Sequence, residues 1–151
     1  MTSSEPTGGE ARVRTPVHLW IVGLLALLWN LMGAFDYLAT QLELGFYMSR
    51  FTEEQLAYFN GFPAWATAGW AFAVWAALAG SIGLLLRKCW SVPVFVIALA
   101  GLAVNSIYTL GMTNGIEMMG RGSGIFTAVI WIVAIFLLVY ASVQVKARVL
   151  A

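Results

Sequence analysis

Residues 16–40 read PVHLWIVGLLALLWNLMGAFDYLAT, and this stretch decides the fold. It contains no lysine or arginine, and its single acidic residue, Asp36, lies near its far end. A helix of about 25 residues is about 37 Å long, enough to cross a hydrocarbon core of about 30 Å. The stretch therefore predicts a membrane-spanning helix, and three later segments have the same character.

The composition of the whole chain agrees with a membrane protein. Of 151 residues, 61% are hydrophobic and only 10% are charged, whereas soluble domains carry about 25% charged residues. The net charge of +1, without any basic run, indicates no nucleic-acid surface. A single cysteine excludes an intrachain disulfide. Since His18 is the only histidine and is far in sequence from Cys89, we expect no metal site and no cofactor.

The predicted fold is all-α: an integral membrane four-helix bundle made of two hairpins, forming one domain over residues 16–146. Residues 1–15 are rich in Ser, Thr, Gly and Glu and predict a disordered cytoplasmic tail. Residues 147–151 are predicted as a second, short tail. The predicted membrane spans are residues 16–40, 63–86, 92–112 and 125–145.

The basic residues predict the orientation of the bundle. Cytoplasmic loops of membrane proteins carry an excess of lysine and arginine. Both termini and the short 87–91 turn are therefore predicted to be cytoplasmic, with the 41–62 and 113–124 loops outside. The basic residues that flank the spans on the predicted inner side are Arg12, Arg14, Arg87, Lys88, Lys146 and Arg148.

A short helix is predicted over residues 52–60 of the first outer loop. Thr52 and Gln55 fit a capping box, in which each side chain bonds the backbone N–H of the other residue. Glu53 and Glu54 would lie in the first turn, where the helix dipole favours acidic side chains. We expect this helix on the outer membrane surface, either as an interfacial anchor or as a lid over the bundle.

Small residues recur along one side of the second span. In lipid, such residues let two helix backbones approach closely, because packing drives helix association there. The pattern predicts that this helix lies against a neighbour along its whole length. The residues, at spacings of three and four, are Ala66, Gly69, Ala73, Ala76, Gly80 and Gly83.

Polar side chains inside the spans are the candidates for function, because such groups usually face a partner or a cavity. Asn30 falls near mid-membrane, and the other candidates fall in the outer half. This clustering is what an outward-facing pocket needs, with amides and a carboxylate to hydrogen-bond a small solute and rings to stack on it. The predicted solute-binding residues are Asn30, Asp36, Tyr37, Asn105 and Tyr108.

A different interpretation stays open. Asn30 and Asn105 could hydrogen-bond each other across two helices, with Asp36 hydrated and paired with Arg50 or Arg121. The protein would then be a structural or regulatory membrane subunit without a substrate. An enzyme is not expected, because the sequence has no Ser-His-Asp set, no metal cluster and no phosphate-binding loop.

Two blocks, WNLMGAFDY at residues 29–37 and AYFNGFPAW at residues 57–65, are similar to a family of small four-helix bacterial inner-membrane proteins. Bacterial genomes commonly label that family "sugar transporter". The resemblance covers about residues 15–142. It implies a multi-pass protein of the bacterial inner (plasma) membrane that carries a small solute, with a sugar as one candidate. Four helices leave little room for a path within one copy, so a homo-oligomer, a dimer, is expected.

Overall fold

The computed structural model describes residues 13–151, and over that range the chain is helical, without strands. Most of the predicted N-terminal tail, residues 1–12, lies outside the described residues. The segment Ile107–Met112 continues α5 as a π-helix. In chain order the helices are α1 (Val17–Gln41), α2 (Gly45–Met48), α3 (Glu53–Asn60), α4 (Ala64–Leu85), α5 (Ser91–Ser106), α6 (Gly115–Met119) and α7 (Arg121–Lys146).

Four helices are long and apolar enough to cross a membrane: α1, α4, α5 with its π-helical extension, and α7. The predicted all-α four-helix membrane bundle is therefore confirmed, and the chain is a multi-pass integral membrane protein by length and composition. Large apolar side chains cover its surface. Ile125 is 71% exposed and Ile132 67% exposed, which suits lipid because hydrocarbon solvates such side chains without cost.

The fourth span begins at Arg121, earlier than the predicted residue 125. Gly120 has φ of 90° and connects α6 to α7 by itself. Glycine adopts this left-handed backbone without a steric penalty, so the chain turns within one residue and the helix includes the glycine-rich segment after it. The other three spans begin and end within a residue of the predictions.

The four spans form a row in which each helix packs on the next: α1 on α4, α4 on α5, and α5 on α7. The first and last helices of the row meet through side chains. The ring centroids of Trp29 and Phe126 are 5.9 Å apart, and His18 Nδ1 lies 2.5 Å from the Tyr140 hydroxyl. Bulky side chains therefore close the bundle between α1 and α7.

The small residues of α4 face α5, which confirms the predicted close packing. A Cβ added to Gly101 of α5 would lie 2.6 Å from the carbonyl oxygen of Gly69 and 2.6 Å from the amide nitrogen of Ala73. Further along, a Cβ on Gly80 would lie 2.7 Å from the ring of Phe95. The absence of side chains at these positions is what lets the two backbones touch.

The two ends of the bundle differ. We call the end that carries α2, α3 and α6 the loop end, and the end that carries the connection between α4 and α5 the turn end. The segment after α7, predicted as a tail, packs on the turn end: Ala151 N donates to Arg87 O at 2.9 Å, and Cys89 N donates to Ala151 O at 3.1 Å. Val149 and Leu150 are buried there.

Candidate functional site

A cavity of about 370 Å³ lies among α1, α4, α5 and α7, within the range of about 300–1,000 Å³ that ligand pockets occupy. We call it the central cavity. Three of the five predicted site residues line it, namely Asn30, Asp36 and Asn105, together with Tyr47 from α2. The other aromatic residues in its wall are Trp29, Trp70, Phe95 and Phe126.

A second cavity of about 200 Å³ lies at the loop end, lined by side chains of α3, α6 and the neighbouring ends of α5 and α7. We call it the loop-end cavity. Asp36, Trp70 and Asn105 line both cavities. The two spaces therefore adjoin at these residues. Tyr58 and Thr127 add hydroxyl groups to the wall of the loop-end cavity.

One stripe of α1 forms a wall of the central cavity. Asn30, Gly33 and Asp36 follow at intervals of three, which places them on one side of a helix, and all three line the cavity. A Cβ added to Gly33 would meet nothing within 4 Å. Gly33 therefore contributes space to the cavity rather than a contact.

The end of α1 brings a phenol to Asp36. Glu43 has φ of 50°, and Leu44 N donates to Ala39 O at 3.0 Å, a pattern that ends a helix and reverses the chain. The reversal carries α2 back along α1, and the Tyr47 hydroxyl donates a hydrogen bond to the Asp36 carboxylate. Burial, and then this hydrogen bond, raise the pKa of Tyr47 above its ordinary value, so the phenol keeps its proton at ordinary pH.

The partner of Asp36 is thus Tyr47, and not the Arg50 or Arg121 that the sequence suggested. A neutral phenol stabilises a carboxylate by donating to it without cancelling its charge. The cavity therefore has one acidic side chain, hydrogen-bonded to a phenol, at the point where it adjoins the loop-end cavity.

The two asparagines each bond to α4 and not to each other. Asn30 Nδ2 donates to Ser81 Oγ at 2.8 Å and lies 3.4 Å from Ala77 O. Asn105 Nδ2 donates to Ala66 O at 3.3 Å. The suggested Asn30–Asn105 pair is wrong, because α4 packs on both α1 and α5 and offers each amide a nearer acceptor. The Ser81 hydroxyl itself donates to Ala77 O at 2.9 Å, and within residues 13–151 neither asparagine's amide oxygen accepts a hydrogen bond.

Tyr37 and Tyr108, the other two predicted site residues, are not among the residues that line either cavity. Tyr37 follows Asp36 directly, so the helix turns it toward α4, where its ring centroid lies 5.1 Å from that of Trp70. The Tyr108 hydroxyl donates to Gly61 O at 3.2 Å. Both tyrosines support the walls of the site from behind.

Twelve aromatic rings at and near the loop end contact one another in a continuous cluster, which we call the aromatic roof. Neighbouring ring centroids within it lie 4.9–6.3 Å apart, a distance at which edge-to-face pairs each contribute about 0.5–1.5 kcal/mol. The roof runs from α1 through α2 and α3 to α4, so it fixes the loop segment over the cavities. Its rings are those of Phe35, Tyr37, Phe46, Tyr47, Phe51, Tyr58, Phe59, Phe62, Trp65, Trp70, Trp75 and Tyr108.

The capping box of α3 is confirmed. Gln55 N donates to Thr52 Oγ1 at 3.2 Å, and Thr52 N donates to Gln55 Oε1 at 3.1 Å. The Gln55 amide also donates to Met118 O of α6 at 3.3 Å, and the Tyr58 hydroxyl lies 3.0 Å from Thr113 Oγ1. These bonds tie α3 to the other loop, and Tyr58 and Phe59 of α3 form part of the wall of the loop-end cavity.

The sequence did not single out Tyr47, Trp70 or Phe126 as site residues. Tyr47 belongs to the four-residue helix α2, which is too short to show a periodic pattern. Trp70 and Phe126 are apolar residues of membrane helices, and nothing in the local sequence separates a cavity wall from a lipid-facing surface. A search for a hydroxyl donor close to Asp36 would have offered Tyr47 as a candidate.

The groups that line the two cavities include acceptors, hydroxyls and aromatic rings. Within residues 13–151, no three His, Cys, Asp or Glu side chains are grouped so as to hold a metal ion. The central cavity instead offers one carboxylate, two amide oxygens and aromatic faces. Comparison of the chain with protein-family models, with curated proteins and with solved structures gave no match.

Proposed function

We propose that the protein is a small-solute transporter or solute-binding membrane protein, and that the central cavity is its binding site. The observation that carries the proposal is that Asp36 and Asn105 line both cavities. A site deep among the membrane helices thereby lies next to a second cavity at one end of the bundle. A tightly packed structural subunit has no need of two such neighbouring spaces.

The orientation of the bundle follows from its charges. Five of the seven basic residues within residues 13–151 lie at the turn end, and Arg50 and Arg121 lie at the loop end. The positive-inside rule therefore favours the cytoplasm for the turn end. The loop end then faces outward, and the cavity receives solute from outside a bacterial inner membrane. The basic side chains concerned are Arg14, Arg87, Lys88, Lys146 and Arg148.

The family resemblance gives a sugar as one candidate solute, and the aromatic wall of the cavity is compatible with stacking on a sugar ring. One copy encloses the central cavity between only four helices. A path through the whole membrane therefore favours a homodimer, in which a second copy supplies further walls.

Cysteine labelling tests the outward-facing pocket without knowledge of the solute. The chain has one cysteine, Cys89, so a Cys89→Ser background is free of other thiols. Gly33→Cys places a thiol in the central cavity, where nothing lies within 4 Å of the new Cβ. Leu31→Cys is the matched control, because Leu31 is 46% exposed on the surface of the same helix and does not line the cavity.

In intact cells, a membrane-impermeant, water-soluble maleimide added outside is expected to label Gly33→Cys. Leu31→Cys should react much more slowly, because a thiol in lipid meets neither the reagent nor the water that ionises it. Equal, slow labelling of both positions would mean that the cavity is closed to the outside. The structural-subunit interpretation would then be the better one.

A further inference from the structure

We infer that the central cavity selects a small organic cation, namely an apolar body with an aromatic ring and a protonated amine. The inference rests on the proposed function, because it names the solute class of the same cavity. The described residues that line the two cavities include one acidic side chain, Asp36, and no lysine, arginine or histidine.

An ionised carboxylate among membrane helices is costly unless a bound proton or a positive charge compensates it. Tyr47 donates one hydrogen bond to Asp36 but brings no positive charge. A solute with an ammonium group supplies that charge at the point where the two cavities adjoin. The free energy released by pairing Asp36 then contributes to binding, and an uncharged solute cannot obtain it.

The hydrogen-bonding groups of the cavity also favour a donor. The amide nitrogens of Asn30 and Asn105 donate to α4, and the phenol of Tyr47 donates to Asp36. These residues therefore offer mainly acceptor oxygens, and one N–H of Asn105 is their single remaining donor. An ammonium group carries three donors and no acceptor, which matches such a set. A sugar hydroxyl both donates and accepts, and these three residues offer it few donors.

The apolar part of the cavity fits the rest of such a cation. Trp70 lines both cavities together with Asp36, and Trp29 and Phe126 line the central cavity further in. Aromatic faces attract ammonium groups through the quadrupole of the ring, most strongly when water is excluded. They also stack on an aromatic ring in the solute. The cavity thus places ring contacts beside the acceptors that an amine needs.

Binding of matched probes to the purified full-length chain tests the inference. The probes are 3-phenylpropylamine, which is protonated at neutral pH, and 3-phenylpropan-1-ol, which has the same skeleton without the charge. Glucose serves as an uncharged polyol. Binding is measured by intrinsic tryptophan fluorescence, because Trp29 and Trp70 line the cavity, and by protection of Gly33→Cys from maleimide.

The amine is expected to bind about tenfold more tightly than the alcohol, or better, and to slow the labelling of Gly33→Cys. Asp36→Asn keeps the shape of the side chain and removes its charge, so the two probes should then bind alike. The comparison of amine with alcohol needs no change at Asp36, and it stands even if that variant folds poorly. Ile132→Ala, on the exposed surface of α7, is the control for substitution itself.

The outcomes separate the inference from the proposed function. If Gly33→Cys reacts from outside but glucose or the alcohol protects it as well as the amine, the pocket stands and the cation inference is wrong. Failure of the amine to bind or protect also overturns the inference. If Gly33→Cys does not react at all, the outward pocket itself is wrong, whatever the probes do.

Discussion

The phenol of Tyr47 donates a hydrogen bond to the carboxylate of Asp36, and this bond joins the loop-end helix α2 to the membrane helix α1. It lies where the central and loop-end cavities adjoin, since Asp36 lines both. Glu43, in the left-handed region, makes the reversal that brings Tyr47 there. We therefore expect access to the central cavity to depend on how firmly α2 is held in this position.

Loss of the Tyr47 hydroxyl should loosen α2. We expect Tyr47→Phe to lower the free energy of unfolding by about 1–2 kcal/mol, because a half-buried carboxylate loses its hydrogen-bond donor. The same variant should speed the labelling of Gly33→Cys from the loop end. Unfolding in detergent and labelling rates measure the two effects.

Tyr108→Phe is the matched control for that variant. It removes a hydroxyl that donates to the Gly61 carbonyl in the same aromatic roof, away from Asp36. It should lower stability by about 1 kcal/mol at most and leave the labelling of Gly33→Cys unchanged. If both variants speed labelling equally, the Tyr47–Asp36 bond has no special part in closing the cavity.

The Tyr47–Asp36 bond also predicts a dependence on alkaline pH. In the folded chain the pKa of Tyr47 lies above its ordinary value of 10.0, first because of burial and then because of the hydrogen bond to Asp36. The unfolded chain therefore loses this proton at a lower pH than the folded chain. The contribution of Tyr47 is complete below about pH 10 and is lost as pH rises toward the folded pKa.

Unfolding of the parent chain and of Tyr47→Phe, measured from about pH 8 to pH 12, checks this dependence. The difference between their free energies of unfolding should be constant up to about pH 10 and then shrink. The pKa of Tyr58 is also raised by burial, but Tyr58 is present in both chains and its effect cancels. A difference that shrinks below pH 9 would contradict the account.

The contact between α4 and α5 should not tolerate a methyl group at Gly101. Gly101→Ala would bring a Cβ to 2.6 Å from backbone atoms of Gly69 and Ala73, which cannot move aside as a side chain can. We expect a loss of about 1–3 kcal/mol of stability.

Gly33→Ala is the control for this variant. Because the space at Gly33 is open, alanine there should be neutral or should stabilise the helix by up to about 1 kcal/mol. Equal stabilities would contradict the close packing.

The orientation of the bundle can be checked with the native cysteine. Cys89 lies at the turn end and is exposed, and Glu53 begins α3 at the loop end. In intact cells an impermeant maleimide should label Glu53→Cys, in the Cys89→Ser background, and should leave Cys89 of the parent chain unlabelled until the cells are opened. Prompt labelling of Cys89 would reverse the orientation, and the cavity would then open inward.

Local sequence predicted the spans, the small-residue contact and the capping box because each depends on residues a few positions apart. A run of apolar residues specifies a membrane span. Gly69 and Gly80 mark the close contact of α4, and Thr52 with Gln55 makes a cap within one turn. None of these requires knowledge of which helices are neighbours.

The partners of the polar residues depend on that knowledge and were not predicted. Asn30 bonds Ser81 and Asn105 bonds Ala66 O because α4 lies between α1 and α5 in the row. Pairing Asn30 with Asn105 by similar depth ignores the helix that intervenes. The sequence could place Asp36 near one end of α1, but only the reversal after α1 brings Tyr47 to it.

We propose that the central cavity is reached from the loop end and that Asp36 gives it a negative charge. Charged thiol reagents test these two statements together. Two methanethiosulfonates of similar size, one with a trimethylammonium group and one with a sulfonate, are applied from outside to Gly33→Cys. Their rate ratio is compared with that at the exposed position Glu53→Cys.

We predict that both reagents reach Gly33→Cys. The cationic reagent should be favoured there by about tenfold relative to the exposed position, because a nearby carboxylate in a poorly hydrated cavity attracts it. Asp36→Asn should return the ratio to that of Glu53→Cys. A cavity that neither reagent enters, or a ratio that Asp36→Asn leaves unchanged, would contradict the account.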